Sequence, residues 1–282
     1  MKLLPFTFVI LLFITSNFFC VQAELLISPT RVSFNERDRA QELVLINTGN
    51  KKTTYRLEWQ QKKALSAGGY VELSQDEAAD FLTASKMLRF SPKQVSLNPG
   101  ERQIIKLALR KPKGLKVGEY RSHLLFRALP AAREVESNVG EMSMKLNVHL
   151  SYSLPITVRQ GKIDSKAVFA DYTFHYNSSQ RMGTLGVELN KSGRHASFGN
   201  ILAYWAPKSG ESKKLIARLN AYSIYPELTE SQTNLIWLNE KFEPEDGELT
   251  FVYEGTGEYR GTVFDSKTFN VTKDMFDTAD KS

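Results

Sequence analysis

The stretch Glu141–Val158, reading EMSMKLNVHLSYSLPITV, constrains the fold more than any other part of the chain. Met142, Met144, Leu146, Val148 and Leu150 alternate there with Ser143, Lys145, Asn147, His149 and Ser151. A side-chain period of two gives an extended strand one apolar and one polar face. Wound as a helix, the same residues would scatter apolar groups around the axis, and Pro155 would break the hydrogen-bond ladder. The plain reading is a half-buried strand of an ordinary sheet. The sharper reading is a strand that lends its apolar face to another protein.

The rest of the chain decides which reading is worth pursuing. With 282 residues, 41% of them apolar, there is room for two cores. Aromatic residues make up 11%, and with abundant Val, Thr and Tyr they favour strands. The net charge of +6 and the isoelectric point near 9.2 come from scattered Lys and Arg. They form no dense block of the kind that grips nucleic acid. Residues 1–23 read as an export signal: Lys2, an apolar run from Leu3 to Ile14, and a small-residue cleavage site at Val21-Gln22-Ala23. Cys20, the single cysteine, lies inside that segment, so the exported chain from Glu24 has no disulfide and no thiolate for zinc or nucleophilic attack.

From Leu25 onward, turn signals divide a series of strand patterns. LLISPTRVSF carries a Pro interruption and, in its middle, Arg31. An Arg in a short apolar strand needs an anionic partner or a wet cleft. Gln41–Asn47 and Thr53–Gln60 flank Thr48-Gly49-Asn50, a hairpin signal, and Tyr70–Leu73 reads as a short strand. Ser74 and Glu77 form a capping box, which predicts a helix over 75–85. Strands follow at 88–92, 94–97, 103–109 and 118–129, and the polar stretch Pro130–Gly140 leads into the alternating segment. About seven strands between 24 and 153 suggest an antiparallel sandwich of immunoglobulin type. Further strand patterns at 166–176, 183–189, 200–205, 214–221, 234–238, 249–253 and 261–264 predict a second sandwich over 156–272. A polar tail, 273–282, ends the chain. The predicted fold class is all-β, with two immunoglobulin-like β-sandwich domains.

The ordered set ISPTRVSF, LRFSPKQVSLNPGERQIIKLALR, GEYRSHLLFRALP and SLPITVR resembles the PapD-like periplasmic pilus (fimbrial) chaperones. The likeness covers about 130 residues of the first half, and the second half matches mainly as a further sandwich of suitable length. The resemblance implies two sandwiches set as an L around a cleft, in the periplasm, with pilus subunits as partners and an outer-membrane usher as the assembly platform. It implies donor-strand complementation. The chaperone's strand fills the groove of an incomplete subunit sandwich, adding backbone hydrogen bonds and apolar side chains. Here the matching strand is 141–152, with Met142, Met144, Leu146, Val148 and Leu150 donated. Burying the first four of these side chains is worth about 6–12 kcal/mol before association costs.

The resemblance also implies two basic residues that hold the subunit's C-terminal carboxylate. Arg31 matches the first, and a guanidinium suits a carboxylate. The second, a Lys shortly before a Pro on the last strand, has no direct counterpart: an ungapped count from Pro155 falls on Leu150. One residue of slip puts His149 there, and Lys145 lies on the same polar face. This departure suits a non-classical branch of the family.

Competing chemistry finds little support in the residues. His123, His149, His175 and His195 are isolated, and no zinc, nucleotide or hydrolase motif occurs. The expectation is a non-enzyme without cofactor, metal, nucleic acid or small-molecule substrate. Asp76, Glu77 and Asp80 are explained by the dipole of a first helical turn. Glu243, Glu245, Asp246 and Glu248 form a loose imitation of a calcium loop, for which an Asp-Gly hairpin turn is the plainer account. The rival reading is a structural or adhesive sandwich component of a surface assembly.

Overall fold

The computed structural model describes residues 24–130, 150–177, 179–210, 212–238 and 242–277. The described residues form two β-sandwiches in succession.

In the first half, β1 (Leu25–Ser28), β2 (Val32–Phe34), β3 (Ala40–Asn47), β4 (Thr53–Gln60), β5 (Lys62–Ala64) and β6 (Tyr70–Glu72) come before the first helix, α1 (Gln75–Asp80). After it come β7 (Leu88–Ser91), β8 (Gln94–Leu97), β9 (Arg102–Leu109), β10 (Gly118–Leu129) and β11 (Ser151–Gln160). One sheet runs β1-β3-β9-β7 and the facing one β2-β11-β10-β4-β8. Alternate residues of both close the first core, including Phe34, Leu43, Leu45, Tyr55, Leu107, Phe126 and Ile156. Leu154, Ile156 and Val158 face that core from β11. In sequence they are in phase with Met142, Met144, Leu146, Val148 and Leu150.

Three sequence expectations are corrected here. LLISPTRVSF is not one strand with Arg31 in its middle: β1 joins one sheet, β2 the other, and Arg31 stands in the link between them. Pro29 cannot donate to a ladder, so the strand switches sheets where pairing lapses. The Thr48-Gly49-Asn50 signal is a turn but not a hairpin, because β3 and β4 lie in different sheets. Buried Asn47 holds this crossing, donating from Nδ2 to Lys51 O and Leu97 O and accepting from the Gly49 amide. The capping box forms, but the helix stops at Asp80. Phe81 is extended, at φ −86° and ψ 144°, and the Ala84 and Ser85 amides donate to Ser122 Oγ rather than to carbonyls one turn back, so the run does not continue helical to residue 85.

The expected division at 153–156 falls inside β11, which stays paired with β10 from Ser151 through Gln160. Gly161, at a φ of +83°, then turns the chain away; a Cβ there would meet the Val117 side chain at 2.6 Å.

The second half contains β12 (Lys166–Asn177), β13 (Met182–Ser192), β14 (Ser197–Pro207), β15 (Lys214–Ile224), β16 (Glu230–Trp237), β17 (Gly247–Gly255) and β18 (Val263–Val271). Their order is β12-β13-β16-β15-β14-β17-β18. β15 and β16 pair only at Ala217↔Trp237 and Arg218↔Ile236. The strands therefore fold into two layers joined at that corner, over a core with Phe169, Ile201, Trp205, Phe251 and Tyr253. The last strand is longer than the expected 261–264. The tail from 273 is not wholly polar, since α2 (Asp274–Asp277) sets Phe276 into this core. Asp246-Gly247 is not a hairpin turn, because β16 and β17 are not neighbours. The Asp246 carboxylate instead accepts the Lys273 amide and pairs with Lys208. Among the described residues no group of three His, Cys, Asp or Glu side chains could hold a metal ion.

Candidate functional site

β10 is buried on both faces from Gly118 to Phe126. Tyr120, Leu124 and Phe126 enter the first core, so by the strand period Glu119, Arg121 and His123 face the opposite way. What covers them is the second sandwich, together with a β-arm formed by β5 and β6. The arm reaches across from the end of β4: the Ala64 amide donates to Glu227 Oε1, the Gln232 amide to Ser66 O, and Tyr70 OH to Tyr225 OH. Arg121 pairs with Glu227, donates to Lys62 O at 3.0 Å and lies 3.7 Å over the Tyr225 ring. His123 packs edge-on against Tyr70, and neither ring nitrogen has a hydrogen-bond partner among the described residues. Burial first, then the Arg121 and Lys62 charges, push its pKa down to about 3.

A second polar node lies at the end of β11. Arg159 is 2% exposed, donating from Nε to Glu119 Oε2 at 2.9 Å and from Nη2 to Glu258 Oε1 at 2.6 Å. Burial opposes its charge, but Glu119, Tyr259 and Glu258 outweigh that and raise its pKa. A buried Arg survives at a domain junction only with such partners, and removing one leaves the other charge stranded. Glu258, in the turn before β18, feels burial pushing its carboxyl pKa up. Arg159 and Arg31 together overcome this and hold it below the ordinary range.

Arg31 completes the node. It belongs to the first sandwich by sequence, yet its contacts are with the second. Nη1 donates to Ser223 Oγ at 3.0 Å, the guanidinium lies 4.2 Å from the Phe198 ring centroid, and Nη2 stands 3.5 Å from Glu258 Oε1. Nε and Nη2 are buried and make no hydrogen bond among the described residues. Ser223 follows Ala221, a non-glycine residue at a φ of +56° whose amide donates to Asn200 Oδ1. This irregularity in the β14–β15 ladder sets the direction of the strand end that carries the Ser223 hydroxyl.

Beside Arg31, β11 changes character. β2 pairs with it in parallel only at Ile156, Thr157 and Val158. Among the described residues, Ser151 to Pro155 have a ladder partner on the β10 flank and none on the other. Leu150 is 42% exposed and outside any strand. The free flank thus ends where Arg31 begins β2's line.

Of the residues singled out from sequence, Arg31 and Leu150 are described. Met142, Met144, Lys145, Leu146, Val148 and His149 lie outside the described residues. Sequence reasoning missed Glu119, Arg121, Arg159, Glu227 and Glu258. Arg159 carried no signal of its burial, because it falls on the face opposite Leu154, Ile156 and Val158, where a polar residue is expected. Glu258, in a Gly-rich turn, carried none.

No family model and no curated protein matches the chain. Among solved structures it is similar to a chain of the CsuC–CsuE chaperone–tip adhesion subunit pre-assembly complex from archaic chaperone-usher Csu pili of Acinetobacter baumannii. The identity is 13% and the TM-score 0.43, covering 89% of this chain and 99% of that one. It is also similar to the class 5 fimbriae chaperone CfaA, at 14% identity and a TM-score of 0.44, over 87% and 98% of the two chains. The CupB2 chaperone of Pseudomonas aeruginosa is similar at 11% identity and a TM-score of 0.40, over 87% and 98%.

Proposed function

We propose that this chain is a periplasmic chaperone of pilus or fimbrial subunits that works by lending strand 141–152 and anchoring the subunit's C-terminal carboxylate at Arg31. The observation that carries this reading is the flank of β11 at Ser151–Pro155, which has no ladder partner among the described residues and is terminated by a guanidinium whose Nε and Nη2 make no hydrogen bond among them. A strand added on that flank parallel to β11 ends against Arg31, because β2, which continues the same line, is itself parallel. An antiparallel strand would bring an α-ammonium to the same place. The Nε–Nη2 edge of Arg31 can only donate, so it favours the parallel direction and a terminal carboxylate, which accepts, over an ammonium, which cannot.

The alternating residues supply the rest. Met142, Met144, Leu146 and Val148 continue in sequence the phase that β11 gives to the core, so they can fill a groove that lacks a strand. The flexible Met side chains suit grooves of slightly different shape. The test is co-expression of Arg31→Ala with candidate subunits and recovery of complexes from the periplasm. The expected result is at least about tenfold less subunit recovered, with the far-UV spectrum of the chaperone unchanged. Undiminished recovery would remove the anchor from this reading.

A further inference from the structure

Arg31, Arg159, Glu119 and Glu258 are joined by contacts of 2.6 to 3.5 Å, and their charges sum to zero. Within this cluster Glu258 is shared unequally. Its Oε1 accepts a hydrogen bond from Arg159 Nη2 at 2.6 Å and from Ser33 Oγ at 3.4 Å, but lies 3.5 Å from Arg31 Nη2 without bonding it. Arg31 is oriented by Ser223 and Phe198, both on the second sandwich, and Glu258 is the carboxylate paired with it. The Nε–Nη2 edge is the one a guanidinium offers to a carboxylate in a two-bond fork, and here that edge is shut off from solvent. An incoming carboxylate reaches it only if a neighbouring side chain gives way. Glu258, 22% exposed and loosely held by Arg31, is the neighbour placed to do so.

We infer that Glu258 is an internal stand-in for the ligand: a chain-terminal carboxylate captured in this cleft takes Arg31 over from Glu258, which stays on Arg159. The inference rests on the chaperone reading above and gives the second sandwich a part in capture as well as in shaping the cleft. It carries a charge consequence. The cluster is neutral before capture, so an added carboxylate leaves one excess negative charge at close range. Glu258 thus weakens the grip on any carboxylate that arrives without a cation of its own or one from the lending strand. This sets a threshold: a lone small anion binds poorly, and a terminus delivered on a paired strand binds well.

The experiment uses the full exported chain and acetate as the probe, read by NMR at the Arg31 side-chain nitrogens, assigned by their loss in Arg31→Lys. Glu258→Gln keeps an acceptor for Arg159 while removing the charge, and is expected to bind acetate about fivefold more tightly than the wild type. Equal affinity in the two proteins would overturn the inference. A second measurement needs no variant to fold: in the wild type, the Glu258 carboxyl carbon should shift in step with the Arg31 nitrogens as acetate is added. A stationary Glu258 signal while Arg31 responds would overturn the exchange. So would Arg31 signals indifferent to acetate in both the wild type and Glu258→Gln, in a chain whose Arg31→Ala variant still loses subunit, and the chaperone reading would then stand. Failure of that reading shows separately, as undiminished subunit recovery with Arg31→Ala.

Discussion

The two sandwiches treat their strand edges in opposite ways. In the second, the terminal strands β12 and β18 meet and are sealed by side chains: Asp265 accepts the Phe169 amide at 2.8 Å, and Lys267 donates to Phe169 O and Ala170 O. Tyr172 packs on Phe269 across the same seam, with ring centroids 4.6 Å apart. Charged side chains that satisfy edge backbone groups are a usual defence against unwanted strand addition. The first sandwich leaves the flank of β11 at Ser151–Pro155 without a ladder partner among the described residues, and puts a cation at its end. Among the described residues, then, side chains close the β12–β18 edge and nothing closes the flank of β11 at Ser151–Pro155.

The most severe way to break this comparison is to put a charge at two positions of the same alternating face. Leu154 is buried in the first core, so Leu154→Asp should cost at least about 3 kcal/mol, measured by denaturant unfolding. Leu146→Asp should leave stability within about 1 kcal/mol and abolish subunit co-purification. Equal unfolding by both would mean that 141–150 packs on its own core and lends nothing.

A smaller effect is expected at the closed seam. The double variant Asp265→Ala, Lys267→Ala leaves β12 backbone groups without partners, costing about 1–3 kcal/mol. It should also raise self-association on size-exclusion chromatography, because the second sandwich would then offer an edge as well. A monomer with unchanged stability would show that the side-chain seal is not what closes that edge.

The last expected effect is one of pH, expressed in full only well below neutrality, at the junction between the sandwiches. His123 has a folded-state pKa of about 3, below its ordinary value near 6.5, because burial and the Arg121 and Lys62 charges disfavour the imidazolium. The sign follows directly. Above pH 6.5 both folded and unfolded states hold the neutral ring and nothing is lost; as pH falls from 6.5 toward 3, the unfolded state gains a proton that the fold refuses. Wild-type stability should therefore decline over that range, and His123→Phe should flatten the decline while keeping the edge-on packing with Tyr70. Parallel melting temperature–pH curves for the two proteins would remove His123 from the acid response.

The alternating stretch fixed strand character in β11 because side-chain period is a local property of three or four consecutive residues, and Leu154, Ile156 and Val158 fall on the core as their spacing requires. Turn residues likewise separated most of the strands, and the capping box at Ser74 formed as read. Local signals could not say which sheet a strand joins. The Thr48-Gly49-Asn50 turn looks the same whether it closes a hairpin or carries the chain between layers, and here it does the latter.

The same boundary runs through the site. Sequence alone made Arg31 conspicuous, since a lone cation in an apolar strand has to be answered by something. Tertiary structure supplied the answer: Ser223, which lies 192 residues away along the chain, Phe198, and Glu258 shared with Arg159. A residue's own neighbours determine its face and its strand. Its charge partners are chosen by the packing of two separately built cores, and no periodicity within either half records that choice.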